Sequence, residues 1–137
     1  MGFRNLLWKD VVMKFETKLH QAEGLGSAKS GLYHWIAQRI TAIALIPLGI
    51  WFLSAFTILL TAPFEEAHSW LSSPWNVTLA LFFILTAFYH GYLGMQVIWE
   101  DYVHHELLKW ILILSTKLFT VFMALLAMVS ILKVFLS

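Results

Sequence analysis

The chain has 137 residues, 60% of them apolar and only 12% charged, with nine Lys and Arg against eight Asp and Glu. It is too apolar for a water-soluble domain of this length, and nothing in it points to a nucleic-acid partner. Cysteine is absent, which excludes disulfides, iron–sulfur clusters and thiolate zinc sites within the chain.

The amino-terminal arm covers residues 1–29. Phe3, Leu7, Val11, Phe15 and Leu19 recur at four-residue spacing with Lys14, Glu16 and Lys18 between them, which predicts an amphipathic helix. Such a helix lies on a membrane surface or docks onto a soluble partner. Glu23-Gly24-Leu25-Gly26-Ser27 reads as a hinge. No cleavable signal peptide is expected, because the first apolar run begins too late and is too long. Gly2 lacks the Ser or Thr of a myristoylation motif, since Leu6 stands at that place.

Beyond the arm, Ile40 to Ala62 and Trp75 to Trp99 are free of Asp, Glu, Lys and Arg, and Trp110 to Ser137 carries only lysines. Each run is long enough to cross an apolar layer of about 30 Å as a helix. The expected fold is therefore all-α, an integral membrane unit over residues 30–137 with spans near 33–61, 75–100 and 108–135. Pro47 falls inside the first span and predicts a kink that membrane helices tolerate. Ser73 or Asn76 could cap the second span, and Pro74 suits its first turn. Trp35, Trp70, Trp75, Trp99 and Trp110 stand near span ends and read as interface anchors. Arg4, Lys9, Lys14, Lys18, Lys29 and Arg39 precede or open the first span, whereas the first connection holds Glu65 and Glu66 and no basic residue. The positive-inside rule then places the amino terminus in the cytoplasm or the mitochondrial matrix.

Within the second span His90 is the one side chain in the run from Val77 to Trp99 whose ordinary titration falls near neutral pH. An ionisable group at that depth costs a few kcal/mol and is a functional-site hypothesis by default. It has two readings: an iron ligand, or a side chain bonding a carbonyl of another helix. Gly91 and Gly94 beside it let either a flat macrocycle or a neighbouring helix approach closely. Asp101 lies eleven residues on, on nearly the same helical face and about 16 Å along the axis. Glu100-Asp101-Tyr102 is either a helix end meeting water or a hydrogen-bonding site for a quinone headgroup. At the inner edge of the first span His34, Gln38 and Thr41 share a face, with Arg39 about 140° round from His34. Arg39 either snorkels to lipid phosphate or pairs with a cofactor carboxylate such as a haem propionate. Lys117 and Lys133 can both snorkel, and neither they nor His104 and His105 are assigned chemistry.

Together these residues resemble the smaller hydrophobic anchor subunit of succinate dehydrogenase, respiratory complex II. The run His90-Gly91-Tyr92-Leu93-Gly94 through Trp99-Glu100-Asp101-Tyr102-Val103 is similar to the signature of that family's second helix. Ser30-Gly31, His34-Trp35 and Gln38-Arg39-Ile40-Thr41-Ala42 resemble the start of the first helix in alphaproteobacterial and mitochondrion-like members. The likeness covers Ser30 to the end and implies half of a heterodimeric haem-binding bundle. By that resemblance His90 is an axial ligand of haem b, the other ligand coming from a second anchor subunit. Tyr102 and Asp101 bind ubiquinone, Arg39 stands near the haem propionates, and His34, which has no set counterpart in the wider family, is a further candidate for cofactor binding. FAD and iron–sulfur clusters belong to flavoprotein and iron–sulfur partner subunits, and the complex sits in a bacterial inner or mitochondrial inner membrane, passing electrons from succinate to quinone. Two other classes compete. A structural anchor, for instance of a fumarate reductase, would keep the helices without a haem role. A small-solute transporter would need discontinuous helices or inverted repeats, which the sequence does not show.

Overall fold

The computed structural model describes residues Ser27–Ser137, with side chains from Gly31 onward. The amphipathic helix expected over Phe3 to Leu19 and all but the last residue of the expected hinge lie outside the described residues. The chain divides into two units, Met1–Trp35 and Ile36–Ser137. Four helices occur among the described residues: α1 (Ser27–Thr61), α2 (Phe64–Leu71), α3 (Pro74–Tyr102) and α4 (Glu106–Leu136). The fold is all-α, and three of the helices are long and apolar enough to cross a membrane.

Helix α1 begins at Ser27, several residues before the expected start, and continues unbroken through Pro47. A proline inside a helix removes one backbone bond, yet a long apolar segment in lipid has no better way to satisfy its remaining N–H and C=O groups. The hydroxyls obey the same constraint. Ser54, Thr57, Thr78, Thr86 and Ser130 each donate to the carbonyl one turn back, at 2.7–3.0 Å.

The first connection contains α2, a helix that the apolar pattern does not predict. Its start follows Pro63, and Glu65 and Glu66 occupy its first turn, where the helix dipole favours negative charge. It ends as the Ser72 hydroxyl and backbone N–H both reach the His68 carbonyl, at 2.9 and 2.8 Å. Ser73 then takes the N-cap position of α3 without a side-chain cap, and Pro74 fills the first helical position. Asn76 does not cap either; its Nδ2 donates to the Trp70 carbonyl at 2.8 Å and so ties α3 to the end of α2. At the other connection His105 is the N-cap of α4, its Nδ1 accepting from the Leu108 N–H at 3.3 Å. Glu106 follows in the first turn and pairs with Lys109 at 2.8 Å.

The closest helix pairing in the second unit is α3 with α4, reinforced by Trp99, whose Nε1 donates to Thr116 Oγ1 at 3.0 Å. Helix α1 meets α3 through side chains, with Phe52 stacked on Phe83 at 4.4 Å between ring centroids. Trp70 stacks on Trp51 at 6.0 Å. Trp70 and Trp99 are thus engaged inside the second unit, while Trp75 and Trp110 are exposed. The core is thin: Leu48, Ala55, Val77, Leu93 and Ala124 are buried, and among the described residues no side chain is wholly enclosed. Ile43, Ile46, Ile50 and Leu53 of α1, and Leu118, Phe119 and Phe122 of α4, face outward. In water such a surface would aggregate, whereas against lipid chains it needs no cover.

Candidate functional site

His90 sits on the inward stripe of α3. The positions one helical turn before and after it on the same face are Thr86, which is buried, and Leu93 and Gly94. The His90 ring is half-buried, and its Nδ1 lies 2.9 Å from Oγ1 of Thr41 on α1. One turn along α3, Gly94 faces α1 as well: a Cβ at that position would stand 3.5 Å from the Gln38 Nε2 atom. Gly94 therefore serves the approach of α1 to α3. Gly91 is different, because a Cβ there would meet nothing within 4 Å. The two glycines divide the roles the sequence left open, one packing within the chain and the other leaving room outside it.

Gln38 completes the polar content of this contact. Its Oε1 is buried with no hydrogen-bond partner among the described residues. A buried amide oxygen left in that state costs on the order of 1–3 kcal/mol, so it is a place where a further donor would be stabilising. His34, in the first unit, carries a similar burden at its Nε2.

Asp101 and Tyr102 end α3 in a different environment. Both are exposed, Tyr102 at 78%, and neither has a hydrogen-bond partner among the described residues. Glu100 beside them accepts from Gln96 Nε2 at 2.8 Å. Tyr102 is twelve residues from His90, about 18 Å along the helix axis. Arg39 is exposed on α1, two residues before Thr41. The second unit thus holds His90, Gln38 and Thr41 together and leaves Asp101 and Tyr102 apart from them.

A cavity of about 520 Å³ opens beside this contact, lined by Thr41, Thr86, Tyr89, Tyr92 and Lys117 among others. Lys117, to which the sequence assigns no chemistry, lines the same cavity as Tyr89 and Tyr92. Thr41 is the residue that sequence reasoning underrated: it was placed on a face with His34 and Gln38 and given no role. Among the described residues no group of three or more His, Asp or Glu could hold a bare metal ion.

Residues 13–132 match the family described as succinate dehydrogenase/fumarate reductase transmembrane subunit. The chain is 40% identical over 108 residues to the succinate dehydrogenase hydrophobic membrane anchor subunit of Rickettsia bellii, covering 78% of this chain and 86% of that one. It is 33% identical over 112 residues to the protein of the same name from Rickettsia conorii, covering 81% and 89%. The corresponding protein of Paracoccus denitrificans is 27% identical over 90 residues, covering 66% and 70%. No solved structure gives a significant match.

Proposed function

Because the chain belongs to the succinate dehydrogenase/fumarate reductase transmembrane subunit family, we propose that it is the smaller membrane anchor of a succinate:quinone oxidoreductase, holding one side of a haem b and part of the quinone-reduction site. Its partners in this reading are a second hydrophobic anchor, an iron–sulfur subunit and a flavoprotein. The absence of cysteine from this chain assigns the clusters to those partners. The basic residues ahead of the first span support an amino terminus on the cytoplasmic or matrix side of an inner membrane.

The observation that carries the reading is His90. It is an imidazole deep in a span, on an inward face, with one ring nitrogen engaged by the chain's own Thr41 at 2.9 Å. That donor set fits a haem iron. A macrocycle supplies four of the metal's ligands itself, so one histidine from each of two chains suffices. The open space at Gly91 leaves room for a flat ring. Haem b, when bound, supplies a one-electron store next to the quinone site. Arg39, near the end of the span, would hold a propionate, for which a planar guanidinium is a bidentate match. Tyr102 donates a hydrogen bond to a quinone carbonyl oxygen as charge develops there, and Asp101 holds or moves a proton beside it.

The test is the absorption spectrum of the assembled complex, purified with its partner subunits. His90→Ala removes an axial ligand, so the low-spin b-type band is expected to shift or vanish. Succinate oxidation with a soluble artificial acceptor continues, because that chemistry lies on other subunits. A band unchanged by the substitution would mean that another residue ligates the iron.

A further inference from the structure

The Thr41 hydroxyl has three polar neighbours. Its Oγ1 stands 2.8 Å from the Ala37 carbonyl oxygen, 3.1 Å from the Gln38 carbonyl oxygen and 2.9 Å from His90 Nδ1. A hydroxyl has one hydrogen and two lone pairs, and carbonyl oxygens can only accept. If the hydrogen pointed at His90, two carbonyl oxygens would face oxygen lone pairs at hydrogen-bonding distance with no proton between them. With the hydrogen directed back toward Ala37 and Gln38, as in the other back-bonded hydroxyls of these helices, a lone pair of Oγ1 is turned to His90. Nδ1 must then carry the ring proton and donate it.

We infer that Thr41 is a positioning residue that fixes His90 as the Nδ1–H tautomer, so that the Nε2 lone pair is the one presented to the iron. The inference rests on the haem reading above and adds to it the identity of the group that orients the ligand. A ligating histidine depends on such a partner. The hydrogen bond at the far nitrogen sets the tautomer, holds the ring plane and raises the basicity of the coordinating nitrogen. A hydroxyl acceptor lends the imidazole a little anionic character, which favours ferric over ferrous iron. Thr41 supplies that acceptor from a different helix, so α1 must be docked against α3 before His90 is aimed. The back-bond to Ala37 and Gln38 in turn fixes the hydroxyl, which leaves the lone pair facing His90 no freedom to turn away.

The experiment uses the full complex with its partner subunits and compares Thr41→Val, Thr41→Ser and Thr41→Ala with His90→Ala, reading haem content and the haem midpoint potential. Thr41→Val keeps the shape and deletes the acceptor. It is expected to weaken haem retention about ten- to a hundredfold, the usual effect of losing such a partner. A tenfold loss confined to the ferric form appears as a potential about 59 mV more positive for one electron. Thr41→Ala removes the hydroxyl in a second way, should the valine variant fail to assemble. Thr41→Ser restores the hydroxyl without the methyl and should behave as the parent protein. A packing role gives the reverse order, with valine tolerated and serine impaired, and that order would overturn the inference. So would valine and alanine variants with the parent's haem content and potential while His90→Ala has lost its haem. In that case the ligand assignment survives and the orienting role does not. A His90→Ala complex that keeps its low-spin spectrum takes down both.

Discussion

His90 and Tyr102 belong to one helix, and both are singled out by chemistry, yet they stand in opposite conditions. His90 is half-buried and already hydrogen-bonded by α1 of the same chain, whereas Tyr102 is 78% exposed and has no partner among the described residues. The same division separates Gly94, which faces Gln38, from Gly91, which faces open space. The mid-membrane position is prepared by the chain's own fold. The end of α3 presents exposed groups that the chain's own fold does not engage. A change on the prepared side should therefore act on stability or ligand geometry, and a change on the exposed side on turnover or assembly.

The largest separation is expected at Tyr102. Changing Tyr102→Phe keeps the ring and deletes the donor, so the complex should assemble with its haem. Losing a hydrogen bond that strengthens with developing charge costs roughly 1–3 kcal/mol, or about ten- to a hundredfold in quinone reduction. The ratio of quinone-reductase to artificial-acceptor activity measures this directly. A fall in stability with no change in that ratio would erase the contrast with His90.

Gly91→Leu sharpens the comparison from the assembly side. The first added carbon meets nothing within 4 Å in this chain, so the chain's own insertion and helicity should be unchanged. Any surface that comes close at Gly91 would be overpacked by about 1–2 kcal/mol, roughly five- to thirtyfold in association. Yield of the intact complex at limiting partner concentration is the readout. Full yield would mean that lipid alone faces Gly91.

The smallest effect lies wholly on the prepared side. Trp99→Phe breaks the Trp99–Thr116 bond at 3.0 Å. Interhelical hydrogen bonds in membranes average about 0.6 kcal/mol in double-mutant cycles. A cycle with Thr116→Val in mild detergent should return a coupling of about that size, and the activity ratio that Tyr102→Phe lowers should stay put. Coupling indistinguishable from zero would return Trp99 to the role of an interface anchor.

These contrasts were unevenly legible in the sequence. The three long helices were, because apolar runs of more than twenty residues with at most two charges have few other fates, and Pro74 marked the start of α3. His90 stood out for the same reason, as the lone histidine in such a run. Helix α2 did not, since eight residues are too few for a periodic pattern, although Pro63 and the pair Glu65 and Glu66 are the ordinary marks of a helix start. Thr41 was invisible for a different reason. Ser54, Thr57, Thr78, Thr86 and Ser130 all bond their own helix one turn back, and Thr41 does the same. Only the packing of α1 on α3 gives its hydroxyl a partner 49 residues away. Trp99 is partly legible on similar grounds: its position near a span end reads as an anchor, and only the α3–α4 pairing shows where its indole N–H goes.

The thin core has a calorimetric consequence. The heat-capacity change of unfolding in water comes mainly from apolar surface that becomes hydrated. Here the large apolar side chains of α1 and α4 already face outward, and helices that part within a bilayer exchange neighbours for lipid tails rather than for water. Separation of the helices should accordingly carry almost no heat-capacity increment. In a scanning calorimeter this chain's own helix contacts would dissolve with a nearly flat baseline and no cold-denaturation limb.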